Sequence, residues 1–221
     1  MTDANKTLLT ARDIDGEGLA DWRPMFGELH ARFGTADFAS ALELVNRIGA
    51  AAEEANHHPD LGLTWGRVDV RLSSHDVGGL TGRDVRLART ISAIAADLGA
   101  TARTDGLTAL ELALDTPDIE AIRPFWAAVL GYDLGASPDE IVDRTGTRPT
   151  IWFQESAEGG EVPQRWHLDI RVPPEVAGER IGAALAAGGT LVSDTDAPAF
   201  VVLADAQGNK ACVTTWQGRE P

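Results

Sequence analysis

The first half of the chain contains a segment in which apolar residues recur with the period of a helix, followed by one in which they recur with the period of a strand. From Thr35 to Asn56 they return every three or four positions, which predicts an amphipathic helix with one buried face. These positions are Phe38, Leu42, Val45, Ile48, Ala52 and Ala55. Pro59 is expected to stop the helix, so that His57 and His58 lie at its C-terminal end.

The next pattern has a period of two. From Leu63 to Ser73, apolar side chains alternate with charged ones, which predicts one half-buried strand of an antiparallel sheet. A glycine-containing turn, residues 76–79, then leads to Thr81, a residue type that caps helices. A second helix is expected from there to Gly99, with its apolar face formed by Val85, Ala88, Ile91, Ala95 and Leu98.

The second half of the chain contains an internal repeat. After a polar segment, Ala100–Gly106, which we interpret as a linker, a strand and a helix occur twice in the same order and with similar spacing. The predicted strands are Thr108–Asp115 and Arg165–Val172, and the helices that follow begin at Pro117 and Pro174 and end before Gly131 and Gly188. Further strands are expected at Ile141–Val142 and Thr150–Gln154 in the first copy, and at Thr190–Val192, Phe200–Leu203 and Lys210–Trp216 in the second, the last two joined by a turn at Asp205–Asn209.

Length and charge narrow the class of protein. A chain of 221 residues, 43% of them hydrophobic, can form two domains with cores of their own. A formal net charge of −15 opposes binding to nucleic acids and to anionic membranes. The N-terminal residues lack an apolar signal segment and no run of 18 apolar residues occurs, so we expect a cytoplasmic protein. The one cysteine, Cys212, lies in an apolar run and is expected to be a buried structural thiol.

Candidate chemistry concentrates between residues 53 and 84. Three of the five histidines, His57, His58 and His75, lie there with Asp84, close to the predicted ends of helices and a strand. Histidine is charged or neutral near pH 7, so such a group suits acid–base catalysis. Adjacent helical positions point about 100° apart, which argues against His57 and His58 binding one metal ion.

Each of these residues also has a purely structural interpretation. Asp84 follows Thr81 by three positions and can complete a capping box, and His57 can cap the last carbonyls of its helix. Trp65 can be a core residue of its strand, and Glu53 can be a solvated charge on a helix. These alternatives remain open at the level of single residues, but the clustering favours an active site.

The segment from Glu53 to Ala88, EEANHHPDLGLTWGRVDVRLSSHDVGGLTGRDVRLA, resembles the signature of the pterin-4a-carbinolamine dehydratases. The resemblance covers about residues 6–100 and extends upstream through Asp21-Trp22, Arg32-Phe33, Asp37-Phe38, Ala41-Leu42 and Val45-Asn46-Arg47. It implies an α+β fold in which an antiparallel four-stranded sheet carries helices on one face. It also implies a homo-oligomer, either a dimer or a tetramer.

The same resemblance implies a reaction and roles for the residues. The substrate would be a small molecule, 4a-hydroxytetrahydropterin, which loses water to give quinonoid dihydropterin without any cofactor. His57 and His75 would form the acid–base pair, with acid and base unassigned, His58 would orient the substrate, and Asp84 would polarise a histidine. Trp65 would stack on the pterin ring, and Glu53 would hydrogen-bond its amide-like edge.

The second half resembles the glyoxalase-like members of the vicinal-oxygen-chelate superfamily, on the segments FWAAVLGYDL (125–134) and DAQGNKACV (205–213) and over about residues 106–218. This implies paired βαβββ modules around a cupped site. The metal-ligand positions of that superfamily would fall near Glu111, Gln154 or Glu155, His167 and Cys212. Only Glu111 and His167 are ordinary ligands, so metal binding is not favoured.

The sequence therefore predicts two domains, residues 1–104 and 105–221, the first a pterin dehydratase and the second a glyoxalase-like domain of unknown ligand. Two alternatives remain. The dehydratase fold could serve as a non-catalytic binding or assembly module, or the C-terminal domain could be a metal-dependent enzyme regulated by the pterin domain.

Overall fold

The polypeptide chain divides between Leu107 and Thr108 into two units of structure. The structure is a computed structural model that describes residues 6–135, 137–156, 166–204, 208 and 210–218. Each unit is built around one sheet, and the buried apolar clusters of the two units share no residue. None of the helices in these ranges is both long and apolar enough to cross a membrane.

The first unit is an α+β fold with an antiparallel sheet, as predicted. Its elements are α1 (Ala11–Gly16), β1 (Arg23–Met25), β2 (Glu28–Gly34), α2 (Phe38–Ala55), β3 (Asp60–Thr64), β4 (Arg67–Leu72), α3 (Gly82–Asp97) and β5 (Thr101–Ala102). The main strand order is β1-β2-β4-β3, and the two-residue β5 pairs with β2. All of these pairings are antiparallel.

One face of this sheet forms the core with the helices, because apolar and polar side chains alternate along its central strands. In β2 and β4 the buried positions are Leu29, Ala31, Phe33, Val68, Val70 and Leu72. They belong to one cluster with Leu44 and Ile48 of α2 and with Val85 and Ile91 of α3. The charged residues of the same strands lie between the buried positions and face away from this core.

The strand predicted from Leu63 to Ser73 is in fact a hairpin. β3 and β4 pair from Asp60↔Arg71 to Thr64↔Arg67, and Trp65 and Gly66 form the two-residue turn between them. Gly66 has φ +69°, a left-handed conformation that glycine adopts at little cost. The period of two that was read as one strand belongs to β4, and the prediction missed the turn.

The end of α2 also differs from the prediction. The helix ends at Ala55, and Asn56 adopts a left-handed conformation with φ +46°. The backbone N–H groups of Asn56 and His57 both donate to the carbonyl of Ala52, which satisfies the end of the helix before Pro59 is reached. His57 and His58 therefore lie beyond the helix.

Residues 100–106, predicted to be a linker, are bound to the first unit. Thr101 and Ala102 pair with β2, and the backbone N–H of Arg103 donates to the carbonyl of Arg32 over 2.8 Å. The guanidinium of Arg32 donates in turn to the carbonyl of Gly106 over 2.6 Å. The linker prediction was wrong because a short polar segment can form its hydrogen bonds with a strand of a sheet, and local composition does not show that such a strand is nearby.

The second unit consists of two βαβββ modules, as predicted. The first contains β6 (Ala109–Thr116), α4 (Ile119–Leu130), β7 (Asp133–Leu134), β8 (Glu140–Val142) and β9 (Ile151–Glu155); the second contains β10 (Trp166–Arg171), α5 (Pro174–Ala186), β11 (Thr190–Ser193), β12 (Phe200–Ala204) and β13 (Lys210–Thr214). The eight strands form one sheet in the order β11-β12-β13-β10-β6-β9-β8-β7. The predicted turn at residues 205–209 lies, except for Gly208, outside the described residues.

Each module has its own core beneath its helix. Leu114, Ile141 and Phe153 pack with residues of α4, and Val172, Leu203 and Val213 pack with residues of α5. Cys212 is buried, as expected from its apolar run.

Candidate functional site

The site begins with the cap of α3. Thr81 precedes the helix, and its backbone N–H donates to Asp84 Oδ2 over 2.7 Å, which completes the capping box expected from their spacing. The capping interaction fixes the carboxylate at the first turn of α3. Asp84 is fully buried, so its remaining oxygen also requires a partner.

That partner is His57. Its Nε2 lies 2.7 Å from Asp84 Oδ1, and the imidazole is only 8% exposed. The chain brings the two together because the left-handed turn at Asn56 directs residue 57 out of α2 and back towards α3. Asp84 thus completes the helix cap with Oδ2 and contacts His57 with Oδ1.

A residue that the sequence analysis missed supports the same carboxylate. The buried hydroxyl of Ser74 donates to Asp84 Oδ2 over 2.7 Å and lies 2.9 Å from the hydroxyl of Thr81. Ser74 is held in place by its backbone N–H, which donates to the carbonyl of Gly79 over 2.8 Å. No local sequence signal separates Ser74 from its neighbour Ser73.

These contacts define which nitrogen of His57 is available. Asp84 Oδ2 accepts hydrogen bonds from Thr81 and Ser74. In its ionised form Asp84 can only accept, so His57 then donates the proton of Nε2 to Oδ1. In the neutral ring, Nδ1 then carries the lone pair. A carboxylate behind an imidazole stabilises the imidazolium that forms when this nitrogen accepts a proton.

The other two predicted histidines are exposed. His58 Nε2 lies 3.1 Å from Glu53 Oε1, and these side chains are 57% and 80% exposed. His75 follows β4, and its Nδ1 lies 3.4 Å from the hydroxyl of Ser73. Both histidines are therefore open to a ligand from solvent.

Trp65 is not brought to this group. It lies in the β3–β4 turn and is 75% exposed. The alternative that Trp65 is a core residue of a strand is therefore wrong. The histidine pair precedes the first residue of β3, and Trp65 follows the last. The five residues of that strand span about 17 Å. Its stacking role stays a prediction that this geometry does not favour within one chain.

A charged group near His75 was not predicted at all. Glu28 Oε2 lies 3.1 Å from His30 Nε2 and 3.9 Å from Arg71 Nη1. Burial by itself raises the pKa of the Glu28 carboxyl, but the close contact with His30 and the positive charges of His30, Arg71 and His75 together lower it below its usual value. The register of β2 against β4 brings Glu28 near Arg71, and sequence periodicity does not reveal that register.

The predicted metal candidates lie on central strands of the second unit. Glu111 is opposite Asp169, which accepts a hydrogen bond from Trp152 Nε1 over 3.2 Å, and Cys212 is the next neighbour of Asp169 in the sheet. Gln154 and Glu155 lie in β9. His167 is opposite Ala113, and its side chain is not among those described. Among the side chains that are described, no group of three histidines, cysteines or carboxylates is placed to hold a metal ion.

Comparison with known proteins matches the two halves of the chain to two different families. Residues 7–94 match the family model for pterin 4 alpha carbinolamine dehydratase, and residues 111–214 match that for a glyoxalase-like domain. A protein of Thermosynechococcus vestitus, named "Putative pterin-4-alpha-carbinolamine dehydratase", is 42% identical over 89 residues, which are 39% of this chain and 94% of that protein. A protein of the same name from Nocardia farcinica is 43% identical over 79 residues, 36% of this chain and 83% of that protein.

A crystal structure of a transcriptional coactivator/pterin dehydratase from Brucella melitensis is 29% identical, with a TM-score of 0.39, and the match covers 40% of this chain and 99% of that one. The second half of the chain carries a glyoxalase-like fold. Because the chain covers nearly the whole length of relatives about 42% identical to it, it belongs, through its first unit, to the pterin-4-alpha-carbinolamine dehydratase family.

Proposed function

We propose that the first unit catalyses the dehydration of a 4a-hydroxytetrahydropterin to a quinonoid dihydropterin. The observation that carries this proposal is the buried pair of His57 and Asp84, with Asp84 fixed by Thr81 and Ser74. An enzyme that removes water across one C–N bond needs a polarised base and a separate acid. The family provides the substrate class, and this pair provides a group suited to proton transfer.

In the proposed reaction, the N5–H proton leaves to His57 Nδ1, and Asp84 stabilises the resulting imidazolium. The electron pair of the N5–H bond forms the C4a=N5 double bond. The C4a–O bond breaks, and the departing oxygen takes a proton from His75 and leaves as water. The two imidazoles then exchange their protons with solvent, so that no net proton or electron is consumed.

The exposed pair of His58 and Glu53 is assigned to binding. A neutral or charged imidazole held by a carboxylate presents its other nitrogen at a fixed position, which suits orientation of a polar substrate group. Because both side chains are open to water, their contribution is expected to be smaller than that of His57.

The test is the rate at which 4a-hydroxytetrahydropterin, generated by a coupled aromatic amino-acid hydroxylase, is dehydrated by the wild type and by His57→Ala and His75→Ala. Each substitution is expected to lower kcat by at least about a hundredfold, since each removes one proton-transfer group. Wild-type turnover that both variants retain would refute the catalytic assignment. A wild type that does not accelerate the reaction would leave the fold as a binding or assembly module.

A further inference from the structure

Glu28 lies at the end of the sheet where the predicted site is found. It is the first residue of β2, and the next residue, Leu29, pairs with Leu72, the last residue of β4. His75 follows three positions later, and its charge contributes to the lowered pKa of the Glu28 carboxyl. Glu28 and His75 therefore lie within electrostatic reach of one another.

The carboxylate of Glu28 is held on one side only. The side chains of His30 and Arg71 both approach Oε2, and Oε1 has no ion-pair or hydrogen-bond partner within the described part of the chain. The side chain is 28% exposed, so a ligand can reach it. A carboxylate oxygen accepts two hydrogen bonds, and the capacity of Oε1 is available to a donor.

The neighbouring turn is a tight hairpin. Phe26 and Gly27 join β1 to β2, and both have the positive φ that a two-residue hairpin turn requires, +48° and +75°. The side chain of Phe26 is 38% exposed. An aromatic ring is thus present two residues from the carboxylate.

Pterins carry a pattern of hydrogen-bonding groups that matches this arrangement. Along the 2-amino-4-oxopyrimidine edge, the 2-amino group and N3–H are adjacent donors, and O4 is an acceptor beside them. A carboxylate accepts from two adjacent donors, and a guanidinium next to it donates to a carbonyl oxygen. We propose that Glu28 binds the 2-amino and N3–H groups of the pterin and that Arg71 donates to O4. This inference rests on the proposed function, since it names the groups that hold the same substrate.

Glu53, which the family resemblance suggested for this edge, is less suited to it. Its side chain is 80% exposed, and the carboxylate already lies against His58. Water competes with a ligand for the hydrogen bonds of an exposed carboxylate, whereas the partly buried carboxylate of Glu28 is less accessible to water.

The experiment measures equilibrium binding of two probes by calorimetry, 7,8-dihydropterin and 7,8-dihydrolumazine, to the full chain. Dihydrolumazine replaces the 2-amino donor with an oxo acceptor and keeps O4. The wild type should bind dihydropterin more tightly, and Glu28→Gln should weaken dihydropterin binding by about tenfold to a hundredfold while largely removing the preference between the probes. Arg71→Gln should weaken both probes similarly and keep the preference.

Glu17→Gln is the matched control, because it breaks another glutamate–arginine pair, with Arg89 at 2.7 Å, and neither of these residues belongs to the sheet. It should leave both affinities unchanged. Far-UV circular dichroism confirms that each variant is folded; if Glu28→Gln is not, Glu28→Asp, which retracts the carboxylate by one methylene, is used instead and should weaken dihydropterin binding in the same direction.

Binding does not depend on turnover, so the two proposals can fail separately. A wild type that binds dihydropterin with the stated preference but does not catalyse dehydration refutes the proposed reaction and supports this inference. An unchanged preference in Glu28→Gln overturns the inference even if the enzyme is active. Loss of the preference in Glu53→Gln instead, or no binding of dihydropterin to the wild type, overturns it as well.

Discussion

Asp84 makes contacts that belong both to the fold and to the proposed reaction. Its Oδ2 completes the cap of α3, and its Oδ1 holds His57, so the same buried charge is compensated by the helix start and by the imidazole. Ser74 adds a third contact from the loop after β4. Each contact therefore offsets part of the cost of burying this charge.

We therefore predict that Asp84→Asn lowers both activity and stability. An asparagine can still accept from Thr81, but its amide N–H group replaces the acceptor that holds the Nε2 proton of His57, and this favours the other tautomer. We expect a fall in kcat on the order of a hundredfold to ten-thousandfold and a loss of about 1–3 kcal/mol in the free energy of unfolding. The coupled hydroxylase assay and urea unfolding measure these effects.

Asp37→Asn is the control for this prediction. Asp37 caps α2 by accepting from the backbone N–H of Ser40 over 2.8 Å, and asparagine caps a helix about as well. Activity and stability should both be close to wild type. Equal losses of activity in the two variants would mean that capping rather than the histidine contact accounts for the effect of Asp84.

Short irregular segments between the helices and strands of the first unit place the candidate site. The left-handed residue after α2 directs His57 towards Asp84, and the loop after β4 places Ser74 and His75. In the second unit, the loop after β8 is fixed by the Asp143 carboxylate, which accepts from the backbone N–H groups of Thr147 and Arg148 and from the Arg148 guanidinium.

Asn56 provides a test of the helix end. Its φ of +46° is strained for any residue with a Cβ other than asparagine or aspartate, so Asn56→Ala should destabilise the first unit by about 1 kcal/mol. Asn56→Gly should be neutral or slightly stabilising, because glycine is the usual residue at this position of a helix end. Thermal unfolding measures both. Asn46→Ala, on the exposed face of α2, should change little, and an equal effect there would contradict the backbone explanation.

Asp143 provides a test that depends on pH. The hydrogen bonds from Arg148 and Thr145, opposed by burial, hold the pKa of the Asp143 carboxyl well below its usual range. A carboxyl whose pKa is lowered in the folded state stabilises it above the unfolded pKa of about 3.9, and this stabilisation is lost as the pH falls towards the folded pKa. Asp143→Asn should therefore lower the Tm clearly at pH 7, and the difference from wild type should shrink progressively below about pH 4.

Asp133→Asn is the comparison, because Asp133 also pairs with an arginine, Arg144, but is 43% exposed. Solvent screens that pair, so the substitution should shift the Tm little at any pH. A difference between wild type and Asp143→Asn that stays constant from pH 7 to pH 3 would show that lost shape or packing, rather than charge, causes the effect.

At the scale of the whole molecule, the chain forms two units whose cores are built from separate parts of the sequence. The division into domains of residues 1–104 and 105–221 stays a proposal, as does the homo-oligomer, which light scattering at known concentration would test by giving a dimer or tetramer rather than a monomer. What the glyoxalase-like unit binds is a separate question from the dehydratase reaction.

Separate cores predict separate unfolding. Calorimetry of the full chain should resolve two transitions, with Asp84→Asn lowering the midpoint of one and Asp143→Asn lowering that of the other. A single transition that both substitutions shift by similar amounts would show that the two units unfold as one cooperative structure, and it would contradict the proposed division.

Features that depend on residues close together in the chain could be predicted from the sequence. The presence of α2, the capping box of Thr81 and Asp84 and the repeated βα order of the second unit could be read directly, because their interactions span at most a few residues. The buried face of α2 was predicted only in part, because Ile48 and Ala52 are buried as expected but Phe38 and Leu42 are exposed. Ala41 and Leu44 are buried in their place. The same local view missed the turn at Trp65 and the edge pairing of residues 101–102, since turns and edges depend on what the rest of the sheet provides.

Which of the candidate residues meet depends on the packing of distant parts of the chain. His57 and Asp84 are 27 positions apart, and their 2.7 Å contact depends on how α2 and α3 pack on the sheet. Glu28 and Arg71 come together through the register of β2 against β4, where a shift of one residue would turn each side chain to the opposite face. Local interactions fixed which chemical groups are available, and long-range packing and strand register fixed the site that they form.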